Sequence, residues 1–289
     1  MNRVSHGALN YRHVRRRFDR AADVFTTADF VHRSAADGLM QRLGPMTVAP
    51  NSILDLGSAR GASGRQLSRH FKRARVVNLD ASFEMLKKGR SERNWFSKIR
   101  DVQGDAFNLP FSAASFDLVF ANMLLPWIDN LPLCLSEVAR VLRKNGLFMF
   151  STLGPASLAE LREAWGEIDQ NVHVNRFADM HDIGDAMVRS GLSDPVLDID
   201  HLKVTYPDID ALFADLTAAG ARNSLMSRNR FLTGKGRIAR LRELMHGDSS
   251  NAVLRLNLEL VYGHAWGGGP QPKPGEHHLS PADIGRRRR

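Results

Sequence analysis

Residues 53–61, ILDLGSARG, constrain this chain more than any other stretch: an apolar run ends in an acid and breaks at once into a small, glycine-bearing turn. Open α/β sheets bind nucleotides with that local geometry, at the carboxyl end of a strand where the next helix presents free N–H groups. Asp80 closes the following apolar run, 76–79, and stands 25 positions after Asp55, while Gly104, Asp105 and Ala106 follow a third strand-like segment. Three elements in that order are harder to obtain by chance than one.

The rest of the chain is read around them. From 18 to 43 apolar residues recur at helical spacing (Phe18, Ala22, Phe25, Phe30, Ala35, Leu39, Leu43), interrupted near Thr26 and Thr27 and ended by Gly44 and Pro45. Strand-like runs at 53–56, 76–79, 99–102, 118–121 and 147–151 alternate with helical patterns at 64–71, 82–90 and 131–142. Short apolar strands alternating with helices predict parallel βαβ units covered on both faces. After 151 the rhythm changes. Ser157 and Glu160 have capping-box spacing ahead of Leu161 and Trp165, and a helix is predicted over 180–190, stopped by Gly191. A strand at 201–206, a helix at 208–220 and an alternating strand at 254–262 complete the pattern.

The expected fold class is therefore α/β, Rossmann-like, with a seven-stranded, mostly parallel sheet, helices on both faces and a helical lid insertion. The expected organisation is a helical lead-in over 1–45, the main domain over 46–265 with lid elements at about 153–198 and 207–247, and a disordered Gly/Pro/Arg-rich tail over 266–289.

Composition narrows the class. A single cysteine, Cys134, excludes an intrachain disulfide framework and sits where a helix would bury it. No apolar run approaches the roughly 20 residues that span a bilayer, so a cytoplasmic enzyme without a membrane partner is expected. Net charge is +9 and clustered: seven arginines lie between Arg3 and Arg33, and seven basic residues with no acid lie between Arg222 and Arg242. Clustering of that kind attracts polyanions, either nucleic acid or an acidic protein, or is simply a solvated surface. His277 and His278 fall in the tail and are not read as metal ligands; no metal is expected.

In the first loop, Asp55, Gly57, Ser58, Ala59 and Gly61 let the backbone approach a ligand, and a bound carboxylate suits the helix start that follows; a purely structural βα turn has the same composition. Asp80 can accept from both hydroxyls of a ribose or cap the helix beginning at Ser82. Asp105 can accept from an adenine amino group, with Ala106 and Phe107 beside the ring.

At these motifs the chain resembles the class I S-adenosylmethionine-dependent methyltransferases, departing at Ala59, where that family usually has glycine. Residues 116–146 (FDLVFANMLLPWIDNLPLCLSEVARVLRKNG), 150–165 (FSTLGPASLAELREAW) and 173–177 (HVNRF), with FDRAADVF at 18–25, are similar to the malonyl-acyl-carrier-protein O-methyltransferases of biotin biosynthesis. The resemblance covers most of 18–262. It implies S-adenosyl-L-methionine as cofactor, and malonyl-acyl-carrier protein, an acidic partner, or malonyl-coenzyme A as substrate. The malonyl carboxylate is already ionised at neutral pH, so its methylation needs positioning and water exclusion, not a general base. Arg176 of HVNRF is the candidate for gripping the carboxylate, against an ordinary surface arginine; Asn122 and Trp127 are candidates for lining the transfer cavity. Phe25 stands where the family's tyrosine sits near cofactor and substrate.

Three other readings of the same fold remain open. An RNA methyltransferase fits the basic clusters, but ANML, not an NPPY tetrapeptide, follows the fourth strand, so nucleic acid is not the expected partner. A mitochondrial complex I assembly factor with arginine hydroxylase activity is similar through the core and through 205–223; an iron oxygenase would need two histidines and a carboxylate on one metal, and no local spacing proposes them. A non-catalytic cofactor-binding protein is the third.

Overall fold

Ser52–Leu56 (β1) is buried at all five positions, which a strand at the centre of a parallel sheet with both faces covered requires. This computed structural model describes residues 8–228, 233–246 and 253–268. The other strands are Arg75–Asp80 (β2), Arg100–Gln103 (β3), Phe116–Asn122 (β4), Leu142–Leu153 (β5), Leu192–Tyr206 (β6) and Leu254–Gly267 (β7). They form one sheet in the order β3-β2-β1-β4-β5-β7-β6, with β1 to β5 parallel and β7 antiparallel to both neighbours. The chain reverses direction across the sheet between β1 and β4, and a crevice opens at their carboxyl ends.

Strand alternation sorts the core into two layers. Leu54, Leu56, Val119 and Ala121 pack under helices Leu131–Val141 (α5) and Met180–Arg189 (α7). Ile53, Leu118 and Phe120 pack under Phe30–Leu43 (α2) and Ala62–His70 (α3). Asp55 follows the second layer by period, so its carboxylate points at the start of α3. Phe120, Phe148 and Phe150 are fully buried, each worth about 1.5–3 kcal/mol of transfer free energy. Cys134 is buried in the first layer, its thiol pushed up to about 12 by that burial.

Tyr11–Ala21 (α1) lies within the expected lead-in and starts seven residues before the helical periodicity that begins at Phe18. Its first turn is capped by Asn10, whose side chain accepts the His13 N–H (3.1 Å). Two remote anchors hold it: Asn10 N–H donates to the Ser224 carbonyl (2.9 Å), and Leu9 N–H donates to Asp129 Oδ2 (2.8 Å), whose other oxygen, Oδ1, accepts from the Tyr11 hydroxyl. Phe83–Ser91 (α4) packs on β2 and β3, with Met85 against Ala21 and Ala22 of α1.

Three expectations are corrected. The helix Ala159–Gly166 (α6) has no capping box: its N-cap is Leu158 in the left-handed region, because Ser157 bonds the Glu259 backbone and Glu160 bonds Asn257 on β7 instead. Residues 180–198 are not lid but sheet layer, since Ile183, Ala186 and Met187 of α7 are buried in the main core and β6 begins at Leu192. The helices α6, Ile209–Ala218 (α8) and Lys235–His246 (α9) instead share a satellite core, including Trp165, Leu212 and Leu256, at the far end of the β6–β7 ladder. Finally, β7 continues through Trp266, paired with Leu147 and Ser193, so the tail cannot begin at 266; from 269 on, including His277 and His278, it lies outside the described residues. Among the described residues no helix is long and apolar enough to cross a membrane.

Candidate functional site

The loop from β1 to α3 folds against the end of β2. Gly57 and Ser58 N–H groups donate to the Leu79 carbonyl (2.8 and 3.0 Å), and Ala59 N–H donates to Asp80 Oδ2 (2.8 Å). Gly57, Ala59 and Gly61 have φ of +73°, +45° and +70°. Ala59 thus occupies a backbone region that an L side chain enters at about 1–2 kcal/mol, which accounts for glycine being the usual residue there.

Asp80 is held from both sides. Its other oxygen, Oδ1, accepts the Ser82 N–H (2.7 Å), and Ser82 caps α4 by accepting from Met85 N–H (3.2 Å) while its hydroxyl donates to Asp19 of α1 (2.6 Å). The helix cap is therefore Ser82, and Asp80 keeps lone pairs facing the crevice. Burial, opposed by those N–H bonds, raises its carboxyl to about 6. Asp105 accepts the Phe107 N–H (3.0 Å), fixing the turn that carries Ala106 into the same wall.

Two cavities meet over Gly57 and Ala59. The larger, about 530 Å³, has Asp80, Asp105, Ala106 and Asn122 along its strand-end floor. The smaller, about 280 Å³, lies between α2 and α3 and is bordered by Phe25, Ser58 and Arg60. Asn122 and His32 line both. Asn122 is locked: its amide donates to the His32 carbonyl (2.9 Å) and its oxygen accepts from Ser151 Oγ (2.7 Å). Trp127 lines the larger cavity, edge-on to Phe18 at 5.2 Å.

Several site expectations shift. Asp55 lies in neither wall; fully buried, it accepts the Gly64 N–H through Oδ2 (2.7 Å) and so holds the start of α3, with its carboxyl raised to about 7 by burial. Gly61 is likewise outside both walls, closing the turn by donating to the Ser58 carbonyl (2.7 Å). Phe25 packs on Met85 and edge-on to His32 (5.1 Å), reaching only the smaller cavity. Arg176 is exposed, close to Arg162 and in neither wall, because the loop carrying it belongs to the satellite core that also buries Val174.

The roof of the larger cavity is α1, through Tyr11, Arg12, Val14, Arg15 and Phe18; no residue of 153–198 or 207–228 borders it. Sequence reasoning missed all but Phe18, since the segment RHVRRRF shows a surface-like charge pattern and its anchors are remote in sequence. His32 was also missed. Its Nδ1 is shielded and has no hydrogen-bond partner, and burial lowers the imidazole to about 4, so the ring is neutral at pH 7. Among the described residues no three His, Cys, Asp or Glu side chains are grouped so as to hold a metal ion.

The donor set fits an adenosyl group: a fixed carboxylate at the β2 end for a diol, an acid and small apolar residues after β3 for a base, and a left-handed loop leading to a helix start.

Residues 54–150 match the family model described as a methyltransferase domain. The YcgJ protein of Bacillus subtilis shares the fold, with a TM-score of 0.58 at 17% identity over 80% of this chain and 97% of that one. So does phosphoethanolamine N-methyltransferase 2 of Haemonchus contortus, with a TM-score of 0.54 at 16% identity over 88% of this chain and 57% of that one. The malonyl-[acyl-carrier protein] O-methyltransferase of Gallionella capsiferriformans is 39% identical over 264 residues, covering 89% of this chain and 91% of its own. That of Halorhodospira halophila is 38% identical over the full length of both. Identity at this level over nearly the whole chain, with the switch-point crevice intact, places it plainly: the chain belongs to the malonyl-[acyl-carrier protein] O-methyltransferase family.

Proposed function

We propose that this protein transfers a methyl group from S-adenosyl-L-methionine to the free carboxylate of a malonyl thioester carried on an acyl-carrier protein. The observation that carries this reading is kinship along nearly the whole chain, well beyond the stretch that matches the general methyltransferase domain. Malonyl-coenzyme A is the alternative thioester.

When bound, the cofactor supplies an electrophilic sulfonium methyl; the protein supplies position. Asp80 would hold the ribose hydroxyls, Asp105 and Ala106 would flank the adenine, and the loop at Gly57–Ala59 would leave room for the amino-acid end. The malonyl carboxylate carries its own negative charge at neutral pH, so no residue need take a proton. The chain must bring one carboxylate oxygen into line beside Asn122, and exclude water with Phe18 and Trp127. The gripping cation is an arginine of α1, since Arg12 and Arg15 reach the larger cavity and Arg176 does not. A bidentate grip lowers oxygen nucleophilicity, so the productive contact leaves one oxygen free.

The test is label transfer from methyl-labelled cofactor to malonyl-carrier protein, malonyl-coenzyme A, acetyl-carrier protein and bulk RNA in parallel. Label on malonyl thioesters and none on the acetyl one is expected. Cofactor binding with every thioester unlabelled overturns the reading.

A further inference from the structure

The outer face of the cavity roof carries guanidinium groups that have no ion-pair partner among the described residues. Arg16 and Arg20 follow one another at one-turn spacing along α1, both exposed, with half-buried Arg17 beside them. The segment paired with α1 through Asn10 and Ser224 brings up Arg222, whose guanidinium stacks over Phe213, and Arg228, which meets His13 Nδ1 at 2.6 Å.

The acids nearby are turned elsewhere: Asp19 to Ser82, Asp129 to Leu9 and Tyr11, and Asp215 to Tyr206. Among the described residues Arg16, Arg17 and Arg20 have neither an acceptor nor an ion-pair partner. Arg17 feels its neighbours: after burial, the charges of Arg228, Arg222 and Arg20 depress its ionisation. A cluster that repels itself in the free protein is stabilised when an anionic surface meets it.

We propose that this face, formed by α1 and residues 222–228, docks an acidic carrier domain so that its thioester arm passes under α1 into the larger cavity. The inference rests on the function proposed above and locates its macromolecular partner. A protein suits the site better than nucleic acid because the reacting group lies beneath a helix, among Val14, Phe18 and Trp127, where a narrow, flexible arm enters more readily than a base held in a nucleic-acid strand.

The test uses the full chain with Arg16 and Arg20 both changed to Glu; neither residue lines a cavity. Methyl transfer is measured on malonyl-carrier protein and on malonyl-pantetheine, at low and high salt, with wild-type binding to the carrier titrated separately. The expected result is a roughly tenfold loss of kcat/KM for the carrier-borne substrate at low salt, shrinking at high salt, with malonyl-pantetheine unchanged. Arg222→Glu, on the other element, should repeat the pattern and guards against an effect on α1 itself. Unchanged carrier kinetics overturn the docking face, as does equal loss on both substrates or variants that release only RNA. Failure of the functional reading looks different: wild type then methylates neither malonyl substrate.

Discussion

Gly89→Ala is the sharpest test of how the cofactor loop is held. Gly89 is buried in α4, and a Cβ there would lie 2.4 Å from the Arg60 carbonyl oxygen and 2.7 Å from its carbon. These are backbone atoms, and ordinary contact begins at 3.4 Å, so loop or helix must retreat by about an ångström. Neither retreats freely. Arg60 is clamped at its far end by an ion pair with Glu92 and a bond to the Ala22 carbonyl (3.1 Å), and its carbonyl accepts from Arg65 (2.6 Å). Helix propensity alone would make alanine about 1 kcal/mol better than glycine. Overpacking against fixed backbone is worth about 1–3 kcal/mol in the other direction, and it should prevail because the contact is so short. The expected net is a loss of about 1–2 kcal/mol in chemical denaturation. Cofactor affinity, measured by titration calorimetry, should fall as well, because the displaced residue adjoins the Ala59 N–H to Asp80 bond. A variant more stable than wild type, with unchanged affinity, would refute the close approach and leave only propensity.

Asp80→Asn removes the charged acceptor for two hydroxyls and should weaken cofactor binding by roughly a hundredfold, read by calorimetry at pH 8. In wild type the same carboxyl sits near 6, so affinity should decline as pH falls through 6, and the Asn variant should lack that slope. The stability sign is opposite: Asp55 and Asp80 have folded values raised above the unfolded carboxylate, so their contribution is present below about pH 4 and is lost as pH rises through 6 and 7, a trend that thermal melts of wild type against Asp80→Asn should expose. Arg12→Ala and Arg15→Ala should between them lower malonyl-thioester turnover by at least tenfold, whereas Arg176→Ala should leave it within about twofold; the reverse ranking would return the carboxylate to Arg176.

What the sequence made legible, and what it hid, divides along range of interaction. Asp55, Asp80 and Asp105 were readable as three strand ends because each is marked by its own few neighbours: an apolar run, an acid, a small turn. Even there, local pattern located Asp55 without assigning its task. Only the sheet's alternation directs that carboxylate under the loop to Gly64, not into the cavity. The capping box failed for a related reason: Ser157 and Glu160 have the right spacing, but β7 offers both side chains stronger partners across about a hundred residues of chain. The roof was the least legible part. Nothing in RHVRRRF says lid, since its two apolar residues, Val14 and Phe18, stand among charges and its position is fixed by Asp129 and Ser224, far along the chain. That dependence is itself a statement about function. The roof is held by hydrogen bonds to remote loops and by the packing of Phe18 and Ala21 on Trp127 and Met85, and its outer face carries the uncompensated charge. Covering the cavity and facing the proposed acidic partner therefore fall on one helix, so an anionic surface that neutralises Arg16 and Arg20 meets the element that covers the reaction.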